Sequence, residues 1–173
     1  MVTPGAGPAD LARARAAAEA VCDPELPMLT LADLGVLCGV DIEASGAVTA
    51  WITPTYSGCP AMAEMAADLD TALHAAGFGD VRVRTRLDPP WSTDRITERG
   101  RRRLAAAGIA PPGPVGPRTG PVPLVLAPTR PAVRCPQCGS ADTQELSRFG
   151  STSCKALWRC RGCLEPFEYV KEI

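Results

Sequence analysis

Two C-x2-C pairs, Cys135-Pro136-Gln137-Cys138 and Cys160-Arg161-Gly162-Cys163, stand 21 residues apart near the end of the sequence. That spacing lets two tight knuckles face each other and present four thiolates at the corners of a tetrahedron. The module around them, residues 132–173, has only about forty residues, too few to fold reliably on an apolar core, so metal ligation must supply much of its stability. A closed four-cysteine site leaves no coordination position for a substrate, which makes the metal structural. Zinc is the favoured occupant, with iron or an iron-sulfur cluster as the alternatives that the same ligands suit. Short strand-like pieces are expected at residues 143–149 and 166–170. Cys154 stands apart from both pairs and is either a fifth, functional thiol near the site or a strand residue.

Composition narrows what surrounds this module. With 18 Lys+Arg against 19 Asp+Glu, the net charge is −1, so no global field recruits nucleic acid, anionic lipid or acidic substrates. The first residues, Met1-Val2-Thr3-Pro4-Gly5-Ala6-Gly7, have neither a basic start nor an apolar run. The longest aliphatic stretch, Leu124-Val125-Leu126-Ala127, is far too short to span a bilayer. A cytoplasmic protein is therefore expected, and in a reducing compartment its 8 cysteines read as metal ligands or working thiols rather than as disulfides.

Read in order, the chain divides in three. Asp10 is placed to cap a helix running to about residue 21, with Leu11, Ala14, Arg15, Ala18 and Val21 at helical spacing. Cys22-Asp23-Pro24-Glu25-Leu26-Pro27 breaks it and sets two carboxylates in a fixed turn. Residues 36–42 and 47–53 read as a hairpin about Ser45-Gly46. A helix from Pro60 to about Ala76 carries Met62, Met65, Ala66, Leu69 and Leu73 on its core side and stops at Gly77. His74 on it is a surface or packed residue rather than a ligand. Residues 80–87 alternate Val81, Val83 and Leu87 with Arg82, Arg84 and Arg86, a strand with one buried and one solvated basic face. A helix capped by Ser92 or Thr93 runs to about Ala107, and the arginines along it read as a solvated face. The expected organisation is an α+β domain over 1–110 with a small mixed sheet and flanking helices, a Pro/Gly-rich linker over 111–131, and the metal ribbon over 132–173.

Cys59 is the chemical centre of the first domain. It ends Thr53-Pro54-Thr55-Tyr56-Ser57-Gly58-Cys59, where the hairpin gives way to the helix, and Pro60 at the first helical position would put the thiol at or beside the N-cap. The positive end of a helix dipole favours thiolate, the form that attacks electrophiles and binds metals; a packed, inert cysteine is the competing reading. Cys22 and Cys38 are expected to be buried thiols.

These residues carry a resemblance. Asp23-Pro24-Glu25-Leu26-Pro27, Asp33-Leu34-Gly35-Val36, Pro54-Thr55-Tyr56-Ser57-Gly58-Cys59-Pro60-Ala61-Met62, Phe149-Gly150, Cys154-Lys155-Ala156 and Glu165-Pro166-Phe167 resemble segments of the PaaD family, the D-type subunits of phenylacetyl-CoA epoxidase. The likeness spans nearly the whole chain. Its first part resembles the SufT-like domain of iron-sulfur assembly factors, and the fusion to a terminal cysteine ribbon makes the assignment specific. The resemblance implies an accessory protein of phenylacetate degradation that serves maturation or repair of metal centres, with the epoxidase components, above all the iron-sulfur reductase, as partners. It also implies a functional pair, Asp23 and Cys59, with Glu25 as a third ligand.

No enzymatic activity is expected. A bundle-type di-iron oxygenase needs two Glu-x-x-His motifs and the chain has one histidine; dinucleotide and ATP fingerprints are missing as well. Two alternatives to a maturation factor stand beside it: a structural, zinc-binding subunit of the epoxidase complex with Cys59 inert, and a nucleic-acid-binding ribbon using Arg148, Lys155, Arg159 and Arg161. Near-neutral charge disfavours the latter, no membrane partner is expected, and a homo-oligomer is compatible with the sequence.

Overall fold

The computed structural model of the chain describes residues 7–56, 58–116 and 131–173. They fall into two compact units, Met1–Trp91 and Ser92–Ile173. The architecture is α+β, with helices flanking one small mixed sheet in the first unit and a second sheet around the cysteine quartet in the other.

In the first unit, helix α1 (Pro8–Glu19) begins two residues before the expected cap. Asp10 instead lies inside the first turn and its carboxylate accepts the Gly7 N-H at 3.0 Å. The buried side of α1 is small, Ala14 and Ala18, so the helix can approach the sheet closely. β1 (Leu37–Ile42) and β2 (Val48–Ile52) form the expected antiparallel hairpin, its turn closed by Gly46 at φ 88. β3 (Val81–Thr85) then pairs parallel with β2. A parallel return needs a crossover, and α2 (Met62–Ala75) supplies it. Met65, Leu69 and Leu73 of α2 and Val48, Ala50 and Ile52 of β2 are all buried, while Met62 stays half-buried. Arg82, Arg84 and Arg86 face solvent as expected. Leu87, expected on the buried face, is 68% exposed, because β3 ends at Thr85 and the chain leaves the sheet before reaching it.

The loop between α1 and β1 is held by side chains rather than by a regular element. Asp23 accepts the N-H groups of Glu25 at 2.9 Å and Leu26 at 2.7 Å. Asp33, fully buried, exchanges hydrogen bonds with Thr30: its N-H donates to the Thr30 hydroxyl and its carboxylate accepts the Thr30 N-H. The indole of Trp91 closes the unit by donating to the Leu34 carbonyl at 2.9 Å.

The second unit starts earlier than the ribbon itself. The single helix expected from Ser92 or Thr93 is two pieces. Ser92 caps a short 3-10 turn (Thr93–Arg95), Ile96 is extended, and Thr97 caps α3 (Glu98–Ala106) by accepting the Gly100 N-H. After Gly108, β4 (Ile109–Ala110) pairs parallel with β7 (Pro166–Val170). β6 (Lys155–Cys160), a strand the sequence does not announce, runs antiparallel between β7 and β5 (Thr143–Ser147), giving the order β4-β7-β6-β5. Residues 92–110, read from sequence as the end of the first domain, thus group with the ribbon. Most of the 111–131 linker lies outside the described residues. Where it begins, Arg101 donates to the Pro112 carbonyl, Asp94 accepts the N-H groups of Val115 and Gly116, and Glu172 accepts that of Gly113. Arg101 is therefore not a solvated arginine but a tie.

Beside the knuckles the ribbon has a compact core of Ala110, Val133, Cys135, Ala156, Trp158, Cys160, Phe167 and Tyr169. One ion pair borders it. Lys155 is 4% exposed, and its ammonium lies 2.8 Å from the Glu168 carboxylate, which also accepts the Ser151 N-H.

Candidate metal centre and thiol site

Each knuckle is built by backbone hydrogen bonds that fold a C-x2-C pair onto itself. In the first, Gly139 N-H donates to the Cys135 carbonyl at 2.8 Å and Cys135 N-H to the Ser140 carbonyl at 2.9 Å. In the second, Cys163 N-H donates to the Cys160 sulfur at 3.4 Å and Cys160 N-H to the Glu165 carbonyl at 3.0 Å. The residue after each pair turns left-handed: Gly139 at φ 73, but Leu164 at φ 66. Glycine adopts this conformation freely and leucine does not. Leu164 is exposed, so Leu164→Gly sacrifices little packing. It is expected to stabilise the second unit by about 1 kcal/mol, read as a shift in the denaturant midpoint at constant slope.

The hairpin of β5 and β6 and the turn into β7 bring the knuckles together. The four sulfurs of Cys135, Cys138, Cys160 and Cys163 lie within 4.8 Å of one another, with Cys135 to Cys163 at 3.7 Å and Cys138 to Cys160 at 3.6 Å. A single ion with metal-sulfur bonds of about 2.3 Å in a tetrahedron puts its sulfurs roughly 3.8 Å apart, so the donor set fits one four-thiolate ion. A cluster with each thiolate on a different iron would need the sulfurs more widely splayed. The Cys163 N-H donating to Cys160 pulls that thiol down to about 6, while sharing protons with the neighbouring sulfurs helps push Cys138 and Cys163 up, so the four thiols ionise unequally. Among the described residues this is the only group of three or more Cys, His, Asp or Glu gathered closely enough to hold a metal ion.

Cys154 does not join it. It precedes β6 at the end opposite Cys160, with its sulfur 3.0 Å from the Thr152 hydroxyl. Six residues of strand put it about 20 Å along the sheet from the quartet. The basic surround expected of a nucleic-acid ribbon also thins out. Lys155 is buried against Glu168, and Arg159 donates from Nε to the Leu164 carbonyl.

In the first unit, Cys59 sits differently from the sequence expectation. The N-cap of α2 is Ala61, so the helix proper starts at Met62, two residues later than a Pro60 start, while 58–61 forms a turn in which Met62 N-H reaches the Cys59 carbonyl. Burial pushes the half-buried Cys59 thiol above its ordinary value of 9.0, and the charges of Glu25 and Asp23 push the same way. The Ala61 N-H and the Thr55 side chain pull against them without prevailing. The expectation of a helix-favoured thiolate is thus reversed: the neighbouring carboxylates and the loss of water outweigh the helix end. The charges of Glu25 and Asp23 on the α1–β1 loop are within electrostatic reach of the Cys59 thiol. They do not form a preformed cage with it. One Asp23 oxygen is already engaged in its own turn, the capped-turn role that aspartate commonly takes.

Cys22 and Cys38 are not the buried thiols expected; Cys22 is exposed and Cys38 half-buried. Cys22 lies beside Asp23 on an extended stretch bridged to Thr30, so the two side chains point to opposite sides and only Asp23 goes inward. His74 is a surface residue, with its ring 2.7 Å from the Phe78 carbonyl.

A pH dependence follows for Cys59. Its alkylation, followed on its own peptide by mass spectrometry, is expected to be slower near neutral pH than that of an ordinary free thiol and to rise with pH beyond 9.0, because the thiolate appears late. Glu25→Gln removes a charge that holds the proton on and is expected to speed alkylation at any fixed pH below that range.

Both parts of the chain match described families. Residues 11–85 match "Iron-sulfur cluster assembly protein" and residues 120–171 match "PaaD zinc beta ribbon domain". An Escherichia coli protein, named as the putative D-type subunit of 1,2-phenylacetyl-CoA epoxidase, is 44% identical over 151 residues, covering 87% of this chain and 86% of that one. A Porphyromonas gingivalis "Fe-S protein maturation auxiliary factor" is 33% identical over 79 residues, covering 45% of this chain and 74% of that one. Among solved structures, a domain of unknown function, DUF59, from Bacillus anthracis superposes with a TM-score of 0.51 at 26% identity, over 56% of this chain and 92% of that one.

Proposed function

Because the chain belongs to the PaaD family of 1,2-phenylacetyl-CoA epoxidase subunits, we propose that it is a cytoplasmic accessory factor, without turnover of its own, that helps mature iron-sulfur or other metal centres of the epoxidase complex. Its client is the iron-sulfur reductase component. The ribbon quartet holds structural zinc, whose role is to fix the two knuckles. The working site is Cys59 with Glu25 and Asp23. What supports this reading most is the electrostatic coupling of the Cys59 thiol to Glu25 and Asp23, all three within the stretch that matches the iron-sulfur assembly family.

The chemistry of that site suits passage rather than storage. A thiol with a raised pKa keeps its proton at neutral pH, so an incoming iron or cluster must displace it. Proton and metal compete for the same sulfur, so binding there releases a proton and weakens as pH falls. Glu25 and Asp23 attract the cation that their charge prepares for, and the Ala61 N-H keeps a hydrogen bond for the sulfur once it is ionised. Release is then reprotonation of Cys59.

A second reading has its own support. Burial of Cys59 and the use of Asp23 as a turn cap are also what a packed, inert site shows, and the chain would then be a structural zinc subunit. Cells lacking the chain and complemented with Cys59→Ser or Glu25→Ala separate the two. Maturation predicts lost epoxidase activity and an iron-poor reductase at unchanged levels of the accessory protein; the scaffold reading predicts wild-type values for both. Metal and acid-labile sulfide after anaerobic purification give a second readout, with iron that disappears in Cys59→Ser assigning cargo to the first unit.

A further inference from the structure

The first sheet has two unlike faces. Val48, Ala50 and Ile52 of β2 point to the helices and are buried. The register sets Thr49 beside Arg82 and Trp51 beside Arg84 on the opposite face, with Asp41 and Gly39 of β1 across from Thr49 and Trp51. On that side Arg82, Arg84 and Arg86 are exposed, and Thr49 and Trp51 are half-buried.

Charge on this face is segregated. At one end Arg82 is neutralised by Asp80 at 2.9 Å and Glu43 at 3.5 Å. Asp41 is engaged by the Trp51 indole N-H at 2.7 Å. At the other end Arg86 lies over the Trp51 ring, 4.8 Å from its centroid, and Arg84 has no acidic partner among the described residues. The result is an indole fixed at both its polar edge and its face, beside two cations that form no ion pair among the described residues. Tryptophan and arginine are the residues most enriched at binding hot spots, and a pre-fixed side chain loses little freedom on binding.

We propose that this face, centred on Trp51, Arg84 and Arg86, is where the chain docks an acidic surface of its protein client. The inference rests on the maturation reading for the client's identity. A discrete carboxylate-bearing patch fits better than a nucleic acid, since Asp41, Glu43 and Asp80 on the same face would repel a continuous polyanion. The face shares no residue with the cysteine quartet or with the Cys59 turn, so docking and metal handling can be altered independently.

The test titrates the full, metal-loaded chain against purified iron-sulfur reductase at about 50 and about 300 mM salt. Arg84→Glu with Arg86→Glu is expected to weaken binding about tenfold or more, higher salt to weaken wild-type binding, and Arg102→Glu on α3 to leave it unchanged. Arg84→Gln with Arg86→Gln is the milder pair, used with a matched unfolding curve in case charge reversal disturbs the sheet. A reversal variant that is folded and binds like wild type overturns the docking face and leaves the maturation reading standing. Failure of wild type to bind, while Cys59→Ser still abolishes epoxidase activity in cells, also overturns the face and spares the reading. Binding of a single-stranded oligonucleotide that is lost in the reversal variant would reassign the face to a polyanion and overturn the proposal.

Discussion

Cys160→Ser is expected to empty the ribbon of metal and unfold the second unit. A hydroxyl is a poor ligand for a soft cation, and the remaining three thiolates leave the knuckles unclosed. Metal binding of this kind contributes on the order of 10 kcal/mol to folding, which exceeds the net stability of most small domains. Cys160 is also fully buried in the ribbon core, so serine leaves a polar group there without a metal to engage it. Metal content should fall from one equivalent to near none, and amide protection in β5, β6 and β7 should be lost with it. Loss of metal with native protection retained would show that the fold does not depend on the quartet.

The next largest effect is expected at Glu168. Lys155 is 4% exposed, and Glu168→Gln leaves its ammonium without a countercharge, at a cost of about 3 kcal/mol in the stability of the second unit. Burial raises the Glu168 pKa, but the Lys155 hydrogen bond and the Ser151 N-H outweigh it, so the net shift is downward from 4.5. A carboxylate with a depressed folded pKa stabilises above its unfolded value and loses that contribution as pH falls through the folded one. The difference between wild type and Glu168→Gln should therefore be full above 4.5 and shrink below it. Denaturant curves at matched metal occupancy across that interval check both the size and the sign. A difference independent of pH would mean that packing, not charge, holds the pair.

Features fixed by neighbours along the chain are legible in the sequence alone. The two C-x2-C knuckles, the Ser45-Gly46 hairpin and the Met65-Leu69-Leu73 stripe each depend on spacing within one element. Features fixed by distant partners are not. β6 is hidden because Lys155, a buried residue of that strand, reads as a surface lysine until Glu168 is placed against it. The break before α3 is hidden because Ser92 and Thr97 both carry capping side chains, and only the extended Ile96 between them decides that there are two elements. The raised pKa of Cys59 depends on burial and on carboxylates more than thirty residues upstream, whereas the local signal points to a helix end. Its helix starts late because the turn at 58–61 takes up the residues that a Pro60 start would have used.

β4 has two residues, yet it decides which piece of this protein is portable. Through β4 and β7, and through the Thr93 N-H that donates to the Ile173 carbonyl at 3.1 Å, chain from before the linker completes the sheet that carries the cysteines. Protease cleavage within residues 117–130 should consequently nick the second unit without releasing a free ribbon. A graft meant to carry the metal knuckles onto another protein would keep its bordering strand and helix only if it began at Ser92 rather than at the first cysteine pair.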